Sequence, residues 1–325
     1  NGALSSNTTG VRNTAVGQAT LNNCYTVNDH TAVGYAALTA NSSGEANTAV
    51  GSYALTTNTT GGYNTGTGHR TLEVNTTGAY NTAFGQSSLR ANTTGGDNVA
   101  VGSQALRLNT TASHNTALGT SALFANTTGT GNTAVGRLAA DAVTTGSNNV
   151  AIGNLAFRNN TTGSNNTAVG VNSLSGVSTA SNNTALGYNA LNSNTDGDQN
   201  VAIGVDVLKV NTTADRNVGV GYQALLSATT GESNQAVGQF SLSALTTGAS
   251  NAAIGNSAGF AVTTGVNNSF FGNDSGRTAS PSGNVTTGSN IICLGNNNVT
   301  DLYCADTSIS SSDSRDKTDV TNFTH

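Results

Sequence analysis

Four histidines, three cysteines and sixteen acidic residues are the groups through which this 325-residue chain could move a proton, attack a carbonyl or hold a metal. Acid–base or nucleophilic chemistry needs such groups to converge within hydrogen-bond reach. His30, His69, His114 and His325 are scattered, and carboxylates such as Asp29 and Glu45 have no base accompanying them. Cys24, Cys293 and Cys304 lack the paired short spacings of a zinc site or a disulfide framework. They read as small packed hydrophobes, with a Cys293–Cys304 bond left open. Gly66-Thr67-Gly68 and Gly219-Val220-Gly221 mimic pieces of a dinucleotide-binding loop, but no strand-to-long-helix context surrounds them. There remain the triplets Asn-Thr-Thr at Asn58, Asn75, Asn92, Asn109, Asn126, Asn160 and Asn211, which would accept N-linked glycans if they faced water. The expectation is a non-enzyme with no cofactor and no metal.

Composition points the same way. Charged residues make up 8% of the chain, where about 25% is usual, and there are 40 glycines, one proline and no Met or Trp. Hydrophobic residues still make up 35%, so the solvating signature of a disordered chain is missing. A net charge of −5 with only 11 Lys plus Arg leaves no electrostatic footprint for gripping phosphate backbones, and no nucleic-acid partner is expected. No run of 18 apolar residues occurs, so no membrane insertion is expected.

The elements that must position these residues are set by a repeat. The segment Asn-Thr-Ala-Val-Gly at Asn13 recurs every 17 residues, sixteen times, up to Asn268, without an insertion or deletion. The idealised unit is N-T-A-V-G-x-x-A-L-x-x-N-T-T-G-x-x. Its length is too short for a helix-turn-helix repeat, and no heptad runs through it. T-A-V-G suits a short strand between turn formers. The pattern predicts an all-β fold, a parallel β-solenoid of the β-roll type with sixteen 17-residue rungs about 4.8 Å apart, roughly 75 Å long. An interwoven triple β-helix is the alternative. A rung holds two or three short segments joined by turns, or its middle stretch x-x-A-L-x-x is a single helical or 3₁₀ turn; the sequence leaves both open.

Variation within each column indicates direction. The fifth position is always Gly, as at Gly17, Gly34, Gly51, Gly85 and Gly102, and reads as a corner. The fourth is almost always Val, Ile, Leu or Phe, with Thr67 the exception, and is expected to face a core; the third is mostly Ala. Adjacent strand positions point to opposite faces, so both faces are expected to be covered, which one thin solenoid does not do alone. Two further copies in a homotrimer would supply the second cover. The twelfth column, which holds Asn58, Asn75 and Asn92, also holds Cys24, Val143, Val177, Ala228, Leu245 and Val262. Sugars displayed to water would not alternate with aliphatics, so stacked amides bonding along the axis are expected instead. The first-column Asn, including Asn13, Asn47, Asn81, Asn98 and Asn115, is expected to cap the same turn or form a second amide ladder. The period breaks between Arg277 and Gly288, which divides the chain into a repeat shaft at 1–276, a β-rich transition module at 277–311 and a terminal segment at 312–325.

That terminal segment carries the most specific pattern. Ser312-Asp313-Ser314-Arg315-Asp316-Lys317-Thr318-Asp319-Val320 resembles the junction at which phage tail fibres and tailspikes enter the peptidase S74 intramolecular chaperone. The resemblance implies a module that trimerises, assists folding of the fibre upstream and leaves by self-cleavage. Carried over, Ser312 is the nucleophile, Ser312-Asp313 the scissile bond and Lys317 the assisting base. Such cleavage would require the full chaperone. The N-T-A-V-G core also resembles the coils of YadA-type trimeric autotransporter heads, although those coils are shorter. Both resemblances imply elongated trimeric surface proteins.

The leading expectation is the structural shaft of a trimeric viral tail fibre, located on the virion and serving attachment to a host-surface glycan or protein receptor bound by another part of the fibre. A bacterial surface adhesin or extracellular filament is the alternative. Ice binding is a third class, but the threonines of N-T-T are adjacent, whereas a flat array wants them two apart.

Overall fold

The structure is a computed structural model that describes residues 2–176, 179–278, 280 and 282–300. Across them the chain forms seventeen three-residue strands and no helix. Strands β1 (Thr14–Val16) to β16 (Ser269–Phe271) follow the 17-residue period. The last, β17 (Ile292–Leu294), sits beyond a longer unit and still pairs with β16, Ser269 opposite Ile292. All pairings are parallel and join sequence neighbours, like with like: Thr14 opposes Thr31 and Ala15 opposes Ala32. Midway along, Thr133 opposes Val150 in the same register. The fold is an all-β parallel solenoid with one repeat per rung, and at about 4.8 Å per rung the ladder is about 80 Å long.

Each rung contains one strand. Its middle stretch is neither strand nor helix but a run of turns in which the seventh and ninth residues, and later the seventeenth, take left-handed backbone angles: Tyr53 at φ 60°, Leu55 at φ 52° and Tyr63 at φ 59°. These angles swing peptide groups along the axis, so rungs stay bonded outside the strands. Tyr53 N–H donates to Tyr35 O at 2.9 Å, and Leu55 N–H donates to Thr71 O at 3.0 Å. A left-handed leucine costs about 1–2 kcal/mol. Complete burial of its side chain contributes about 2 kcal/mol, which offsets that cost. The ninth-column leucines, including Leu38, Leu55 and Leu106, are fully buried beside the alanines of the third and eighth columns.

The core is thin, and large residues are accommodated by missing atoms nearby. Phe270 replaces Ala in the third column, and a Cβ added at Gly276 would lie 2.4 Å from its ring. Val207 replaces Ala in the eighth column, and a Cβ at Gly219, where the third column normally carries Ala, would lie 2.5 Å from its Cγ1. The fifth-column glycine serves a different need. At Gly68, φ is +135° and a Cβ would lie 2.6 Å from Gly85 O, so neither the backbone angle nor the stacking distance admits a side chain.

Candidate functional site

Two files of asparagine amides run through the interior. In the twelfth column, Asn75 Nδ2 donates to Asn58 Oδ1 at 2.8 Å and to Gly78 O at 2.9 Å; Asn92 repeats this toward Asn75 and Gly95. In the first column, Asn47 Nδ2 donates to Gly61 O, and Asn47 Oδ1 accepts the N–H of Asn64 at 2.9 Å. Asn81 and Asn98 do the same toward Gly95 and Ala112, and Asn115 N–H donates to Asn98 Oδ1. Asn13 Oδ1 accepts the N–H of His30. Asn47 and Asn58 thus meet at one carbonyl, that of Gly61, which closes the rung. The Asn-Thr-Thr asparagines named above are fully buried. The threonine next to each mostly donates its hydroxyl to the following rung, as Thr59 Oγ1 does to Thr76 O at 3.0 Å.

His30 stands in the first column and fills the asparagine role. Its Nδ1 accepts Asn47 N–H at 3.1 Å, and the ring is 1% exposed. Burial holds its pKa below the ordinary 6.5, against the opposing pull of Asp29 and Glu45. The thiol of Cys24, which stands between Asn7 and Asn41 in the twelfth column, is pushed up to about 11 by burial, with Asn41 acting in the other direction. Cys293 is also a buried free thiol; Cys304 lies outside the described residues.

The outward face of the strand ladder runs from β1 to β17. The fourth column was expected to face a core; within one chain it points out, because the inward side of each strand is taken by the third-column residue, usually Ala. Val16 is 59% exposed, Phe84 58% and Ile254 50%, whereas Ala32, Ala49 and Ala83 are fully buried. Two residues before it, the second column presents Thr or Val in most rungs, also outward. Neither column contains a charged residue on any rung from β1 to β17. The charges sit on the flanks and mostly pair there: Asp29 is held below the usual carboxylate range by its hydrogen bond to Arg12, and Arg216 pairs with Glu232 across rungs.

The functional residues carried by sequence resemblance, Ser312, Asp313 and Lys317, lie outside the described residues. The ladder residues Asn58, Asn75 and Asn92 lie together in one file, and the corner glycines Gly17, Gly34, Gly51, Gly85 and Gly102 in another, each with φ between 129° and 136°. The sequence reading gave no role to Arg70, Glu73, Arg90 and Arg107, which the solenoid brings to one side face. Their signal was a shared column: Glu73, Arg90 and Arg107 all occupy the tenth position of consecutive units. Among the described residues no group of three or more His, Cys, Asp or Glu is placed to hold a metal, and no helix is long and apolar enough to cross a membrane. No family model matches the chain, and no curated protein matches it.

Proposed function

We propose that this chain is the shaft of a homotrimeric extracellular fibre, with three strand faces turned toward a common axis. The carrying observation is the uncharged, largely aliphatic face that runs unbroken from β1 to β17. A strip about 80 Å long and about 10 Å wide presents about 800 Å² per chain, the size of a standard specific interface. Monomeric proteins seldom leave so long an apolar patch in water. The partner is another copy of the chain because a matching continuous face of the same length is required, and the parallel register of identical rungs provides it.

The resemblance of the segment from Ser312 to Val320 favours a viral tail fibre, with Ser312 and Lys317 acting in self-cleavage at Ser312-Asp313 and the receptor bound elsewhere on the fibre. A bacterial adhesin built on the same rungs is the second reading; neighbouring genes separate the two. Ice binding fits less well, because the outward column ranges in size from Thr67 to Phe84 and Phe271 and so presents no flat array.

Sedimentation equilibrium of the purified chain tests the assembly. A mass three times that of the single chain is expected, and a chain carrying both Val135→Asp and Ile152→Asp should fall to monomer while keeping its β-sheet circular dichroism. A parent chain that sediments as a monomer at all concentrations refutes the proposal. For cleavage, the chain expressed with its downstream region should be cut after Ser312 and left whole in Ser312→Ala; an uncut parent removes that assignment.

A further inference from the structure

Arg90 and Arg107 occupy the tenth column of consecutive units, the one place among the described residues where two Lys or Arg side chains share a column on adjacent rungs. Like charges stacked about 4.8 Å apart repel, and the two side chains turn away from each other. Arg90 Nε reaches back to Glu73 Oε2 at 2.6 Å. Arg107 turns the other way and lies over the Phe124 ring, 5.6 Å from its centroid. Between them opens a cleft of ≈ 180 Å³ lined by Val74, Arg90, Ala91, Arg107 and Leu108. Arg70 also leans on Glu73, with Nε 3.0 Å from Oε1 in an arrangement that makes a charge contact but no hydrogen bond. Two guanidinium groups therefore share one carboxylate, with the third, that of Arg107, on the next rung, in a chain whose net charge is −5. Among the described residues Arg107 forms no ion pair, only its contact with the ring.

We propose that this cleft binds an oxyanion carried on a sugar-sized body: the carboxylate of an acidic saccharide or the phosphate of a phosphorylated one. An oxyanion seated between the two forks relieves the repulsion that splays them, and Arg107 offers planar donors that no carboxylate among the described residues occupies. Ala91 leaves the floor low, and Val74 and Leu108, both more than a third exposed, give the carbon body an apolar wall. The cleft lies in the tenth and eleventh columns, away from the strand face, so it stays open in the proposed assembly and does not depend on it.

Calorimetric titration of the full chain at low salt with glucuronate, inorganic phosphate and neutral glucose tests the proposal. Saturable binding of glucuronate or phosphate is expected, weakened about tenfold or more in Arg107→Gln and also in Arg90→Gln. Arg158→Gln, which removes a cation of the same column three rungs away, should leave it unchanged. Glucuronate binding the tighter marks a carboxylated glycan, and phosphate the tighter marks a phosphorylated one. Unchanged affinity in Arg107→Gln, equal binding of glucose, or no saturable heat from either anion overturns the site. Unaltered circular dichroism of each variant shows that loss of binding is not loss of fold.

Discussion

A buried asparagine in this chain is satisfied by the rung before it and offers its oxygen to the rung after it. The file therefore has a direction, and where two or more stacked asparagines come to an end the last oxygen has no donor: Asn126 Oδ1 and Asn211 Oδ1 are buried without partners, because the next residues in their column are Val143 and Ala228, whereas the isolated Asn160 turns its Oδ1 to the N–H of Gly163. Replacing Asn92 by Val would strand Asn75 Oδ1 in the same way and should cost about 2–3 kcal/mol. Val143→Asn is expected to behave differently, since its new amide would donate to Asn126 Oδ1; lost apolar burial and repaired hydrogen bonding should cancel to within about 1 kcal/mol. Hydrogen exchange of the backbone amides in the altered rung is the suitable measurement, because long repeat arrays do not unfold as one unit. The inward direction of this column is legible from sequence only because Cys24, Val143 and Leu245 share it with asparagine. The direction of donation is not legible, since each unit carries the same residue at both ends of the bond.

His30 sets a pH limit on the rungs around it. Its Nδ1 accepts a backbone N–H and must stay unprotonated, while the unfolded chain binds a proton near the ordinary value of 6.5. The folded value is depressed, so this contribution is fully present above 6.5 and is lost as pH falls through the lower folded value. Exchange at the Asn47 amide should accelerate between about pH 7 and about pH 5 beyond the intrinsic pH effect. His30→Asn restores the common residue of the column and should abolish that excess; an equal excess in both chains would assign it to other groups.

At the scale of the element, a rung tolerates a large residue only where an adjacent position gives up volume. Val207 and Gly219 form such a pair, with 2.5 Å between Cγ1 and the Cβ that Gly219 lacks. Gly219→Ala alone restores the usual third-column residue but collides with Val207, and should destabilise by about 1–3 kcal/mol. Val207→Ala alone leaves a cavity and should cost a similar amount. The double variant recreates the common Ala–Ala pairing, and its loss should be smaller than the sum of the two by at least about 1 kcal/mol. Additive losses in a double-mutant cycle would show that the two positions do not share the space. The strand was legible in Thr-Ala-Val-Gly because its alternation and its glycine corner are local. The left-handed leucines were not, because intrinsic preference opposes them and only the shared core, formed by stacking, overrides it.

For the whole molecule, the fixed length of the unit is what keeps sixteen outward residues in one line. Seventeen residues return the chain to the same column on the next rung, so deleting a complete unit, residues 115–131, removes one rung and rejoins matching columns. The variant should fold, associate as the parent does and be shorter by about 5 Å per unit removed, a difference resolvable by electron microscopy once several units are deleted together. Deleting sixteen residues instead shifts every later residue by one position relative to its neighbours. Because strand side chains alternate, a one-residue shift turns alanines outward and fourth-column aliphatics inward, where the thin core has no room for them. The chain can recover only by distorting one turn to absorb the missing residue. The sixteen-residue deletion should therefore lower the unfolding midpoint and raise aggregation relative to the seventeen-residue deletion, although it removes less of the protein. Equal behaviour of the two would mean that the turns, not the columns, absorb length, and the continuity of the apolar face would then no longer follow from the repeat.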